Sequence, residues 1–223
     1  MPLQRLRVLA LHGFRTSGEI FAQQMDISRL SEQLKDLIDI VYVNAPHIST
    51  GPLPVDLPAA LVNGRPTYEW WNAQRGEGGK VTSYDGFDES LAFIKDYIAL
   101  HGPFDGLWAF SQGTILASLL LAMQQKGVGL QEQGPLKFIV CIGGVVPAPA
   151  VAHRLLSPPI LMPSLHIIGD KDYIRQYSYM LAEVFRNPVI IAHHRGHVVP
   201  GLDEDKLEQL RSFLRARMHD STL

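Results

Sequence analysis

The sequence predicts an α/β chain, a mostly parallel sheet of six short strands with helices on both faces. Six apolar runs of four to six residues, at 6–11, 38–43, 106–110, 138–142, 164–168 and 189–192, are too short for helices and too continuously apolar for strands with one wet face. Between most of them lie segments with apolar residues at helical spacing, about 17–37, 86–100, 112–125, 174–185 and 204–218. Strands that alternate with helices are joined by crossovers, and crossovers make neighbouring strands parallel.

Taken in chain order, the first run follows the basic residues of MPLQRLR and superficially resembles an export signal. VLAL is far shorter than the apolar region of such a signal and meets turn residues at once, so it reads as the first strand. A helical segment over 17–37 leads to IDIVYV, the second strand. Residues 44–84 then lack periodicity, are rich in Pro and Gly, and carry the aromatic patch Tyr68-Glu69-Trp70-Trp71. Structureless loops of this length are rare in compact domains unless functional or disordered, and paired tryptophans argue against disorder. The expectation is a folded flap, about 45–85, inserted in a single domain of residues 1–223. Its rings either line a pocket or fix the loop to the body. GEGGK at 76–80 reads as a mobile tip, since it lacks the strand and helix that flank a phosphate-binding loop. The helix at 86–100 precedes GLWAF, the third strand, which ends at Ser111-Gln112-Gly113 and a helix rich in Ala and Leu. FIVCI, SLHII and VIIA complete the strands, and 204–218 closes the chain as a helix.

The bulk properties exclude several classes. The 223 residues suffice for one sizeable core. A net charge of −2, without basic or acidic blocks, argues against a nucleic-acid partner or an anionic membrane surface. No apolar run is long enough to span a bilayer. The lone Cys141 cannot pair internally and sits in a strand, which fits a reducing, cytoplasmic setting. Oligomeric state is not readable.

Ligands of parallel α/β sheets bind beyond the carboxyl ends of the strands, so the residues there matter most. The first strand ends at His12-Gly13-Phe14-Arg15, the third at Ser111-Gln112-Gly113, the fifth at Gly169-Asp170-Lys171-Asp172, and the sixth at His193-His194-Arg195-Gly196-His197. Taken singly, Ser111 at a strand-to-helix turn could simply cap the helix. A serine, an acid and a base at successive strand ends, in that chain order, follow the order of the α/β-hydrolases. A serine hydroxyl becomes a competent nucleophile when an imidazole, itself oriented by a carboxylate, accepts its proton. The turn that presents it needs small neighbours, which Ala109 and Gly113 supply; Ala109 stands where glycine is usual. A tetrahedral intermediate needs two amide donors, placed by the same logic at Gln112 and Phe14. At this stage Asp170 competes with Asp172, and His193 and His194 compete with His197. The two aspartates as a cation site, or the three histidines as a zinc site, lack the further ligands such sites use. His12 is expected to hold the oxyanion loop by hydrogen bonding.

The stretches LALHGFRTSGEIFAQQ, YDGFDESLAFI, GPFDGLWAFSQG, GDKD and RGHVVP resemble, in order and spacing, the FSH family of serine hydrolases. The resemblance covers most of the chain. It implies a compact α/β-hydrolase fold that lacks the first strands of larger members. It also implies cleavage of carboxylic esters or thioesters without a cofactor or metal. By position it assigns Ser111 as nucleophile, Asp172 as acid and His197 as base. A pocket of Phe14, Trp70, Trp71, Val145 and the apolar residues after it suits an apolar acyl group, with Arg15 the basic residue nearest the oxyanion loop. The rival readings are a catalytically silent ligand-binding protein of the same fold and a flavodoxin-like nucleotide binder. The second lacks a phosphate-binding glycine pattern.

Overall fold

The structure is a computed structural model that describes residues 5–128, 130, 135–148 and 159–219. It opens with β1 (Leu6–Leu11), the helices α1 (Gly18–Ile27) and α2 (Leu30–Leu34), and β2 (Ile38–Val43). The expected single helix over 17–37 is broken because Arg29 takes a left-handed conformation, φ 66°, which the α ladder does not accommodate. The connecting segment is built from β3 (His47–Ile48), the short helix α3 (Ala59–Val62), β4 (Tyr68–Glu69), β5 (Asn72–Arg75) and β6 (Val81–Asp85). In it β3 pairs antiparallel with β4 and β5 with β6. The glycine-rich stretch supplies a 3₁₀ turn at Glu77–Gly79, with Gly78 and Gly79 at positive φ, and so closes the β5–β6 hairpin.

Next come α4 (Phe87–His101), β7 (Gly106–Phe110), α5 (Gln112–Gln125) and β8 (Phe138–Ile142). They are followed by β9 (Ser164–Gly169), α6 (Arg175–Ala182), β10 (Val189–His193) and α7 (Glu204–His219). Strands β1, β2, β7, β8, β9 and β10 form one parallel sheet in the order β10-β9-β8-β7-β1-β2. Strands β9 and β10 each run one residue past the apolar stretch, to Gly169 and His193.

Alternation across the sheet explains the unbroken apolar runs. Leu9, Leu11, Leu107, Ala109, Ile139 and Cys141 join a core on one face with Ile94, Ile98, Leu116 and Leu181 from α4, α5 and α6. Leu6, Val8, Ala10, Trp108, Phe110, Phe138 and Val140 point the other way, into a core with Phe21, Met25, Leu34, Leu210 and Leu214 from α1, α2 and α7. From β1 the chain adds β2 on one side and later β7 on the other, so the direction of winding reverses between β1 and β7. A crevice opens at such a switch point, and the Leu11↔Ala109 register brings the loops after both strands to its rim.

Candidate active site

Ser111 stands between β7 and α5 with φ 50° and ψ −117°, a backbone conformation rare for a residue with a side chain. The turn survives because the residue two positions on is glycine: a Cβ at Gly113 would overlap the Leu11 carbonyl of the neighbouring strand. The Ser111 amide donates to the Ile142 carbonyl at 3.0 Å, and its own carbonyl accepts from the Thr114 amide at 2.9 Å and from Thr114 Oγ1 at 2.6 Å. Although it occupies the helix N-cap, its side chain makes no capping bond. The hydroxyl donates instead to His197 Nε2 at 2.9 Å.

His197 lies in the loop after β10 and is buried, as is Asp172. His197 Nδ1 donates to Asp172 Oδ2 at 2.8 Å, while Asp172 Oδ1 accepts from the Ile174 amide at 2.9 Å. The carboxylate therefore fixes the tautomer that leaves Nε2 free to accept from Ser111. Phe110 stacks on the imidazole at 4.9 Å between ring centres, and Tyr173 lies against it at 5.3 Å. Two glycines make room. A Cβ on Gly143, whose φ is 51°, would stand 2.9 Å from His197 Nδ1, and one on Gly169 would stand 2.6 Å from the Arg195 carbonyl. The competing groups go elsewhere: Asp170 is exposed and faces Arg175 at 3.7 Å, His194 is exposed, and His193 Nδ1 accepts from the Arg195 amide at 3.3 Å.

The loop after β1 lies across the crevice from the serine. His12 is fully buried, which holds its imidazole down to about 4 and therefore neutral. Its Nε2 accepts from the Ala45 amide at 3.0 Å and its Nδ1 donates to the Gly13 carbonyl at 2.8 Å, so it braces this loop. Gln112, the first residue of α5, has an amide without an intrahelical acceptor. Its buried side chain spans to the connecting segment, accepting from the Trp70 amide at 3.2 Å and donating to the Trp71 carbonyl at 2.8 Å.

A cleft of about 80 Å³ lies over Ser111 and His197. Phe14, Pro54, Leu57 and Phe110 give it apolar walls, and Asp56 contributes a carboxylate. Of the residues expected to contact substrate, Phe14 does line it. Trp70 and Trp71 do not: both are buried in the core, Trp70 against His12 and Trp71 stacked on Tyr84 at 5.0 Å. Val145 packs against the same core, and its amide donates to Thr114 Oγ1. The residues at 149–158 lie outside the described residues. Arg15 is committed to Glu69 at 2.9 Å and to the Pro52 carbonyl at 3.0 Å, so its charge is matched away from the cleft. Sequence reasoning missed Pro54, Asp56 and Leu57, which belong to a stretch without periodicity, and Gly143, whose signal was only its place directly after β8. Among the described residues no cluster of three or more His, Cys, Asp or Glu could hold a metal ion, and no helix is long and apolar enough to cross a membrane.

A parallel sheet with a serine on a strained strand-to-helix turn, facing a histidine from the last strand end, defines a protein of α/β-hydrolase architecture. Comparison with known proteins narrows the class. A family model described as serine hydrolase (FSH1) matches residues 1–209, and the chain belongs to that family. It is 32% identical over 224 residues to a Caenorhabditis elegans protein named esterase C25G4.2, covering 96% of this chain and 95% of the relative. To the human esterase OVCA2 it is 32% identical over 215 residues, covering 90% and 92%. The solved structure of acyl-protein thioesterase 2 from Zea mays superposes with a TM-score of 0.62 at 18% identity, covering 96% of this chain and 94% of that one, and shares the fold.

Proposed function

We propose that this serine hydrolase cleaves neutral esters and thioesters of apolar acyl groups through an acyl-enzyme on Ser111. The observation that carries the reading is the unbroken chain from Ser111 Oγ to His197 Nε2 at 2.9 Å and from His197 Nδ1 to Asp172 Oδ2 at 2.8 Å. Ser111 Oγ attacks the acyl carbonyl carbon as its proton passes to His197 Nε2, and the buried Asp172 carboxylate stabilises the imidazolium. The carbonyl oxygen, now negative, is met by the amides of Phe14 and Gln112. His197 returns the proton to the departing alkoxide or thiolate, leaving the acyl group on Ser111. Water then repeats the sequence and frees the acid. The esterase names of the relatives support the reaction type.

The apolar cleft walls favour an uncharged acyl group, and among the described residues no lysine or arginine lines the cleft, whereas Asp56 would repel an anion. The cleft, at about 80 Å³, is small beside the ~300–1,000 Å³ of a drug-sized ligand pocket, so the gain in kcat/KM per added carbon should be greatest over the first few carbons.

The test is Ser111→Ala on a p-nitrophenyl ester. Activity should fall on the order of 10³-fold or more while the fold persists. A fluorophosphonate should label the parent protein at Ser111 and not the variant. A folded parent that neither turns over the ester nor takes the label would instead be the silent ligand-binding protein.

A further inference from the structure

The loop that carries Phe14 and the side chain of Gln112 are both hydrogen-bonded to one short piece of the connecting segment, residues 68–71. On the β1 side, the Tyr68 amide donates to the Thr16 carbonyl at 2.6 Å and Trp70 Nε1 donates to the His12 carbonyl at 2.9 Å. Glu69 holds Arg15, the residue after Phe14, at 2.9 Å. On the β7 side, the Gln112 side chain bonds the Trp70 amide and the Trp71 carbonyl. This piece is itself anchored in the core. The Trp70 carbonyl accepts from Ser90 Oγ on α4, and the two indoles are 0% and 2% exposed.

We infer that residues 68–71 are the brace that sets the spacing of the oxyanion hole, with Gln112 and Trp70 as its positioning residues. The inference rests on the serine mechanism above. The amide of Phe14 comes from the loop after β1 and that of Gln112 from the first turn of α5, after β7; the Leu11↔Ala109 pairing and the close approach of Gly113 to the Leu11 carbonyl bring the two together, and oxyanion binding then demands that both amides be held to a few tenths of an ångström. A segment hydrogen-bonded to both sides holds that setting. Gln112 thus acts twice: its main chain donates to the oxyanion, and its side chain locks that main chain to the brace. Neither indole needs to touch substrate for the aromatic pair to matter to the chemistry.

The reaction's own charge development provides the test. A thiono ester, with C=S in place of C=O, develops its charge on a larger sulfur that accepts hydrogen bonds poorly. The ratio of kcat/KM for an ester to that for its thiono analogue therefore reports the oxyanion hole and not general stability. Two variants separate the two ties: Gln112→Met removes both bonds from the β7 side, and Trp70→Phe removes the indole N–H from the β1 side. In each, kcat on the ester should drop roughly 10- to 100-fold with KM nearly unchanged, as for a weakened oxyanion donor, and the ester-to-thiono ratio should fall with it. Thermal melting identifies the variants that are folded, and Trp70→Phe carries the test alone if Gln112→Met is not. A folded variant that keeps the parent ratio, losing only melting temperature or KM, would overturn the brace. Ser111→Ala assayed alongside keeps the outcomes separate, because hydrolysis that survives there faults the serine mechanism itself, whatever the ratio shows.

Discussion

Two aspartates two positions apart show how little sequence distance decides a role. Asp172 is buried, gives one oxygen to His197 at 2.8 Å and the other to the Ile174 amide, whereas Asp170 faces solvent and Arg175. Asp172→Asn should cut kcat by up to about 10⁴-fold, because an amide can present its NH₂ to Nδ1 and impose the wrong tautomer. Asp170→Asn should stay within a few-fold of the parent, since an exposed pair at 3.7 Å contributes little. Steady-state kinetics on one ester decides between them, and comparable losses would remove Asp172 from the mechanism. Gly143 is the less obvious participant. Its φ of 51° and the 2.9 Å that a Cβ would leave to His197 mean that Gly143→Ala either strains the backbone or pushes the imidazole away from Ser111. We expect a loss of kcat larger than the accompanying loss of melting temperature suggests, and unchanged turnover would show that the imidazole has slack.

At the scale of elements, the strands and the serine turn were legible because their signals are local and redundant. An apolar run ends, a polar residue sits between small ones, and an Ala- and Leu-rich helix follows, all at 106–125. The break between α1 and α2 was not legible, since Arg29 carries no preference for the left-handed region that tertiary packing imposes on it. The connecting segment hid its structure for another reason. Its strands β3 and β4 have two residues each, too few to show a period, and they exist through pairing with each other and through the Thr16 bridge to β4. The same segment held the tryptophans in doubt between pocket wall and anchor, and burial favours the anchor. Trp71 stacks on Tyr84 and meets Phe87 edge-on at 5.3 Å. Trp71→Ala should therefore destabilise the protein by about 3–5 kcal/mol, as for other buried aromatic truncations. Its effect on kcat/KM should be flat across acyl chains from acetyl to decanoyl. A loss that grows with acyl length would return the ring to the substrate wall.

For the molecule as a whole, the cost of burying imidazoles sets a boundary in pH. Burial lowers His12 to about 4 and His166, on β9, to about 3, and it also lowers His193. In the unfolded chain each returns to its ordinary value near 6.5 and takes up a proton that the folded state refuses. The unfolded state thus binds more protons below about pH 6.5, so stability is complete above that value and falls as the pH drops toward the folded-state values. With His12 and His166 alone, the unfolded chain binds nearly two more protons than the folded one near pH 5, so stability falls there by about 3 kcal/mol per pH unit. Two such units are comparable with the lower end of the stability of an ordinary domain. Urea unfolding at a series of pH values should show a plateau near neutrality and a steep decline between pH 6 and 4. His166 offers the cleaner dissection because it lies far from the serine in the chain, in mid-strand, with Ser164 Oγ as its polar partner at 3.0 Å. His166→Leu removes one of these protons, so the slope near pH 5 should fall by up to about half, whatever the variant does to stability at neutral pH. A slope unchanged by that substitution, or a parent protein whose stability is flat from pH 7 to 5, would show that the buried imidazoles do not govern acid unfolding.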